Sequence, residues 1–386
     1  MKKSGRRRVA ILTFPPSRNP NYGGILQAWA LQRVVSDLGL DVRIIEEGGG
    51  LRELLRQWRS AVLGSLGSIA AEHLSPEPFG RLAGHAGDRR VTKFSRQNLR
   101  LAHLRRSQGK IPANATARYS AYIVGSDQVW RPDYVDLDWF LLGFLGKDPR
   151  PVRVAYAVSF GNASVTLDVD AQERTAALAA KFDAISVREA SGVALTKQLW
   201  GAPSVHVLDP TLLLSGSDYL NIAESGVRSA GKSPSGIAAY ILDSHADVLE
   251  AVRAIALSAG STTSNLMWSE SRRARRRTVG EWLAGISSAE YVLTDSYHGC
   301  LFAIIMRKPF LVIPNQSRGA ERFASALAFM GLERRSVSVQ ECTLDRLREP
   351  IDWQTVEERL SVGKSKSLQF LRDSLLPVLR GDNVLE

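Results

Sequence analysis

Cysteine is nearly absent: Cys300 and Cys342 are the only two in 386 residues. That is too few for a disulfide framework or a thiolate metal cluster, and no metal is expected. No apolar run approaches the roughly 20 residues that cross a bilayer. The opening "MKKSGRRRVAILTFPP" has a basic head, but its apolar stretch, residues 9–14, is short and closes on Pro15 and Pro16. It therefore reads as a first strand rather than a signal segment. A dinucleotide fingerprint of the Gly-x-Gly-x-x-Gly type is missing, which argues against a nicotinamide enzyme. Zinc-finger spacing and an RNA-recognition signature are missing too, so nucleic acid is not an expected partner. These absences leave a cytoplasmic globular protein.

What the chain has in excess is positive charge, a formal +11. Part of it is clustered, in Arg6, Arg7 and Arg8 and in "RRARRR" at 272–277. Basic surfaces attract phosphates, acidic polymers and anionic lipid alike. A solvated surface run is the plain alternative.

Short apolar segments alternate with helical ones. Strands are expected at 9–14, 41–46, 121–130, 152–161, 183–189 and 204–211. In "GILQAWALQRVVSDLG", Ile25, Ala28, Leu31, Val35 and Leu38 keep helical spacing and Gly39 sits where a C-terminal cap belongs. Strands apolar on both faces and separated by helices belong to parallel sheets. The Ser- and Gly-rich stretch 225–235 suits a linker, after which strands resume at 236–242, 262–268, 291–293 and 310–313. Thr278 and Glu281 have capping-box spacing. The predicted architecture is α/β, two doubly wound Rossmann-like domains facing a cleft. Residues 1–224 form the first, with a helical insertion at about 50–115, and 236–351 the second. A helix within 352–386 crosses back onto the first.

"GVRSAGKS" at 226–233 matches the phosphate-loop pattern. That motif works as the turn between a strand and a helix, whose amides cradle phosphate. Here a helical stretch precedes it, and Pro234 and a strand follow, so it is read as the linker.

Position is the better signal, because ligands of open parallel sheets bind beyond the carboxyl ends of the strands. Those ends carry polar residues here. Asn21, Tyr22, Gly23 and Gly24 follow the first strand, where glycines would let an anion approach the start of a long helix. Ser126, Asp127 and Gln128 follow "AYIV", Arg188 and Glu189 follow "AISV", and Asp209 follows "VHVL". In the second half Asp295, Ser296, Tyr297 and His298 follow "YVLT", and Asn315 follows "FLVIP".

Five motifs in this order, "NYGGILQAWALQ", "IVGSDQVW", "SVREASGVAL", "VLDPTLL" and "TDSYHGCLFAIIMRKPF", resemble the polysaccharide pyruvyl transferase family. The resemblance implies a GT-B-like fold. It also implies transfer of a pyruvyl group from phosphoenolpyruvate to a sugar, leaving a ketal and free phosphate. No cofactor is implied, since phosphoenolpyruvate is itself the donor substrate. The acceptor would be a sugar or lipid-linked oligosaccharide of an exopolysaccharide or cell-wall precursor. The protein would then work at the inner face of the membrane, with peripheral contact to anionic lipid.

Ketal formation needs a proton at the methylene carbon of the donor, and a histidine near neutral pKa suits that step. The family's site histidine aligns with His298. The competing reading of His298 is a core histidine satisfied by Asp295. Arginine forks suit the donor's carboxylate and phosphate. Arg188 matches the family's arginine after its "SV" strand, and Arg322 in "SRGAERF" is a second candidate. Ketal-forming members carry an arginine two places before the histidine, where this chain has Ser296. Arg322 or the "RRARRR" run would have to compensate. Two other readings are a nucleotide-sugar glycosyltransferase of the same architecture and a non-catalytic basic glycan-binding protein.

Overall fold

The computed structural model describes residues 7–48, 89–105, 111–230, 236–243, 245–267, 275–314 and 319–381. Asn315, Arg6, Arg272, Arg273 and most of the expected helical insertion lie outside them.

Seven parallel strands make the first sheet: β1 (Arg8–Leu12), β2 (Asp41–Gly48), β3 (Leu101–Arg105), β4 (Ala121–Val124), β5 (Val152–Val158), β6 (Ala184–Val187) and β7 (Val205–His206). Their order is β3-β2-β1-β4-β5-β6-β7. The second sheet, also parallel, has the order β11-β10-β8-β9. Its strands are β8 (Ile237–Tyr240), β9 (Thr263–Asn265), β10 (Tyr291–Thr294) and β11 (Phe310–Val312). The helices used below are α1 (Tyr22–Asp37), α2 (Gly216–Ala230), α3 (Val279–Ser288), α4 (Tyr297–Ile305), α5 (Glu321–Met330) and α6 (Trp353–Ser374).

Each sheet is covered on both faces. One apolar layer belongs to the first sheet alone and another to the second. The third is shared: Tyr22 of α1 stacks on Trp282 of α3, with ring centroids 5.3 Å apart and planes 7° from parallel. Phe302 of α4 meets Tyr219 of α2 edge-on. Burying such large rings between the halves contributes on the order of 2 kcal/mol each, so the halves meet through core rather than through solvent. Helix α6 adds a second tie. Its Ser367 Oγ accepts from Leu208 N (3.0 Å), and Lys364 Nζ donates to Leu214 O (3.3 Å).

Two expectations need correction. β3 lies within the segment read as helical. As an edge strand paired only to β2, it buries just Leu104 among its five residues, so it shows no apolar alternation. Helix α2 runs on to Ala230, through the first residues of the expected linker. Ser and Gly are weak helix formers but do not forbid a helix.

In both sheets the chain leaves one strand for one side and returns on the other. This happens between β1 and β4 in the first sheet and between β8 and β10 in the second. Crevices form at such switch points, and here the two face each other.

Candidate active site

A cavity of about 510 Å³ lies between the switch points. Its first-half wall is Phe14, Asn19 and Asn21 after β1, and Asp127, Gln128, Asp133 and Tyr134 after β4. Leu242 after β8, Asp295 to His298 after β10, and Arg322 of α5 make the opposite wall.

Local hydrogen bonds fix the second-half wall. The Asp295 carboxylate accepts from Leu242 N (2.7 Å) and Asp243 N (2.8 Å), tying the β8 and β10 exits together. Burial raises its pKa, and those two amides oppose the rise. Thr294 Oγ1 donates to Tyr240 O (2.7 Å) and accepts from Ser296 N (3.0 Å). Ser296 then caps α4 through Gly299 N (3.4 Å). This sequence of bonds puts His298 in the first turn of α4, facing the other half.

His298 is 5 % exposed and lies at the cavity wall. Its partner is Asp209, from beyond β7, and not Asp295. His298 Nε2 lies 3.6 Å from Asp209 Oδ2, an ion-pair distance longer than a hydrogen bond. Arg188 Nη1 donates to the same oxygen at 2.9 Å, while Thr211 N and Oγ1 donate to Oδ1 at 2.9 and 2.7 Å. Burial pushes the Asp209 pKa up, but His298, Arg188 and Thr211 outweigh it and hold the carboxyl well below the usual range. Asp209 was visible in the sequence only as a polar strand exit. Its "DPT" setting marks a cap, and nothing local shows that the histidine 89 positions later meets it.

Gly23 has a different purpose from the one expected. A Cβ placed there would fall 2.1 Å from His298 Nδ1, so the missing side chain admits the imidazole and leaves no room for an anion. Gly23→Ala should therefore lower stability by about 1–3 kcal/mol in urea melts, most of it recovered in a His298→Ala background. Equal losses in both backgrounds would mean that the ring does not press on this backbone.

Two other predicted residues, Tyr22 and Ser126, are structural. Tyr22 is fully buried, its hydroxyl donates to Arg277 O (2.6 Å), and burial pushes its pKa up to about 12 against the opposing Arg276 charge. Ser126 is fully buried as well. Its N donates to Gln27 Oε1 (3.2 Å), its Oγ to Ala157 O (3.1 Å), and its carbonyl accepts from Thr13 Oγ1 (2.8 Å). These bonds lock the β4 exit to β1 and α1. Asn21 lines the cavity and caps α1, accepting from Gly24 N (3.2 Å). Asp127 also lines it, at φ 89°, in the left-handed region that Asp tolerates better than most residues.

Arg188 is absent from the cavity wall. Its side chain is 1 % exposed, with Asp209, Asp127 (3.5 Å) and Glu189 (3.5 Å) around the guanidinium. Burial alone would lower its pKa, but Tyr297 and the three carboxylates raise it overall. The Tyr297 ring lies against two guanidinium groups, Arg188 at 4.8 Å and Arg322 at 5.2 Å. Arg322 is thus the arginine that reaches the cavity. Burial, and then the neighbouring Arg188 charge, lower its pKa. In the described part of the "RRARRR" run, Arg276 crosses to the first half, donating to Pro20 O (3.2 Å), while the Arg277 side chain stays within the second, donating to Asn265 O (2.9 Å) and Ser264 Oγ (3.0 Å). Among the described residues no group of three or more His, Cys, Asp or Glu side chains is placed to hold a metal ion.

The family model for polysaccharide pyruvyl transferase matches residues 21–317, most of the chain. The chain belongs to the polysaccharide pyruvyl transferase family. In this family member the matched span takes in Asp127, Arg188, Asp209 and His298 but ends before Arg322. No curated protein matches it. Among solved structures, UDP-GlcNAc 2-epimerase from Neisseria meningitidis bound to UDP-GlcNAc is 10% identical. The alignment covers 96% of this chain and 99% of that one, with a TM-score of 0.50. UDP-GlcNAc 2-epimerase from Methanocaldococcus jannaschii is also 10% identical, with 92% of each chain covered and a TM-score of 0.47. The Neisseria likeness speaks to fold alone, and with the two parallel sheets the fold is the two-domain GT-B-like one. Among the described residues no helix is long and apolar enough to cross a membrane.

Proposed function

We propose that this pyruvyl transferase family member moves a pyruvyl group from phosphoenolpyruvate to two hydroxyls of a sugar in an exopolysaccharide or cell-wall glycan precursor. The observation that carries this reading is His298 at the wall of a polar cavity, with the Asp209 carboxylate 3.6 Å from Nε2 and Arg322 on the same wall. The imidazolium gives its proton to the methylene carbon of the donor, leaving the neighbouring carbon open to attack. One sugar hydroxyl adds there and returns a proton to the imidazole. The second hydroxyl then displaces phosphate from that carbon, and its proton leaves with the phosphate. Asp209 steadies the charged ring through both transfers. Arg322 faces a penalty for staying charged where it is, and an anionic donor beside it relieves that penalty.

Phosphate release from phosphoenolpyruvate with candidate sugars tests the reading. Arg322→Ala should raise the KM for phosphoenolpyruvate by about tenfold or more, the usual loss for a charge-assisted hydrogen bond. A thermal-shift panel separates the alternative: stabilisation by a nucleoside diphosphate and none by phosphoenolpyruvate would favour a nucleotide-sugar glycosyltransferase.

A further inference from the structure

The two walls of the cavity differ in charge and texture. The second-half wall carries Arg322 and His298, which suit a small anion. The first-half rim carries Asp127 and Asp133, the amides of Asn19 and Gln128, and the Tyr134 ring. At 52 % exposure, Tyr134 is the one exposed Phe, Trp or Tyr ring among the described residues. Aromatic rings with a few placed polar groups beside them are what line ligand pockets, and this ring sits among such groups at the cavity.

This ring is also held in place. Arg131 is largely buried, and its guanidinium lies 4.0 Å from the Tyr134 centroid. Arg131 Nη1 in turn donates to Gln128 Oε1 (3.1 Å). The cation covers one face of the ring and leaves it half exposed where the cavity opens. Asp133 stands next to it, its side chain 73% exposed and 3.8 Å from Arg131 Nε.

We propose that this rim is an acceptor subsite for a neutral pyranose, with Tyr134 as its stacking platform and Asp133 taking its hydroxyl protons; this rests on the pyruvyl-transfer reading. The C–H face of a pyranose is weakly positive and apolar, and it packs on the negative face of an aromatic ring. A carboxylate accepts hydrogen bonds from two neighbouring hydroxyls but repels a second carboxylate or a phosphate. The rim therefore selects a neutral sugar over a uronic acid and keeps the anionic donor on the opposite wall.

Two measurements on the full-length protein test this. In the phosphate-release assay, Tyr134→Ala should raise the KM for a neutral sugar acceptor about tenfold, with Tyr134→Phe near the parent and the KM for phosphoenolpyruvate unmoved. An acceptor KM within twofold of the parent in Tyr134→Ala overturns the subsite while leaving the reaction intact. If the parent releases no phosphate at all, the reaction reading fails and binding decides the subsite. Saturation-transfer NMR with methyl glucoside, galactoside and mannoside should then show contact with the parent that Tyr134→Ala loses. No contact with the parent, or contact kept by Tyr134→Ala, overturns it. Asp133→Asn should let glucuronic acid compete where the parent excludes it; continued exclusion also counts against the subsite.

Discussion

His298→Ala should cut phosphate release from phosphoenolpyruvate by about 100-fold or more, the usual contribution of a positioned general acid. The site leaves little to replace it. The Asp209 carboxylate loses the His298 contribution to its low pKa, but Arg188 and Thr211 still engage it and still hold it toward the charged form. Asp295 is held by two backbone amides. Cys300 is buried at the start of α4, and burial drives its thiol pKa up. Steady-state rates at saturating donor are the measurement, with a melting curve to show that the variant folds. A rate within about threefold of the parent would remove the imidazole from the reaction.

Arg188→Ala should be the most destabilising single change proposed here, by about 3–5 kcal/mol in urea unfolding. The side chain is buried among Asp127, Glu189 and Asp209. Removing it leaves three carboxylates with no cation at their centre. Glu189 would yield first: burial already raises its pKa, with Arg188 and Ser159 opposing. A substrate-binding arginine would behave differently, with a raised KM for phosphoenolpyruvate and unchanged stability. That second pattern would show that Arg188 reaches the donor after all.

Much of this fold is local and therefore legible in the sequence. Apolar runs such as "AYIV" and "RVAIL" lie in central strands buried on both faces, and the Thr278–Glu281 capping box forms as its spacing predicts. β3 was missed because an exposed edge strand has no buried face to pattern. The candidate site was legible as a place: strand exits collect polar residues, and switch points bring those exits together. Which of those residues meet was not legible. Tyr22, Ser126 and Arg188 occupy strand exits or a helix start like the others, yet their side chains are consumed by packing and internal hydrogen bonds. The pairing of His298 with Asp209 and the contact of its ring with Gly23 depend on how two separate sheets are set against each other. No local pattern encodes that. The Tyr134 rim belongs to a loop, where apolar periodicity has nothing to report.

His298 is carried by one half of the molecule and the Asp209 carboxylate beside it by the other. Prising the halves apart would strip the imidazole of its counter-charge at the same moment that water entered, so under the proposed reaction a gaping molecule is also a silent one. What holds the two lobes together is the aromatic seam through Tyr22 and Trp282.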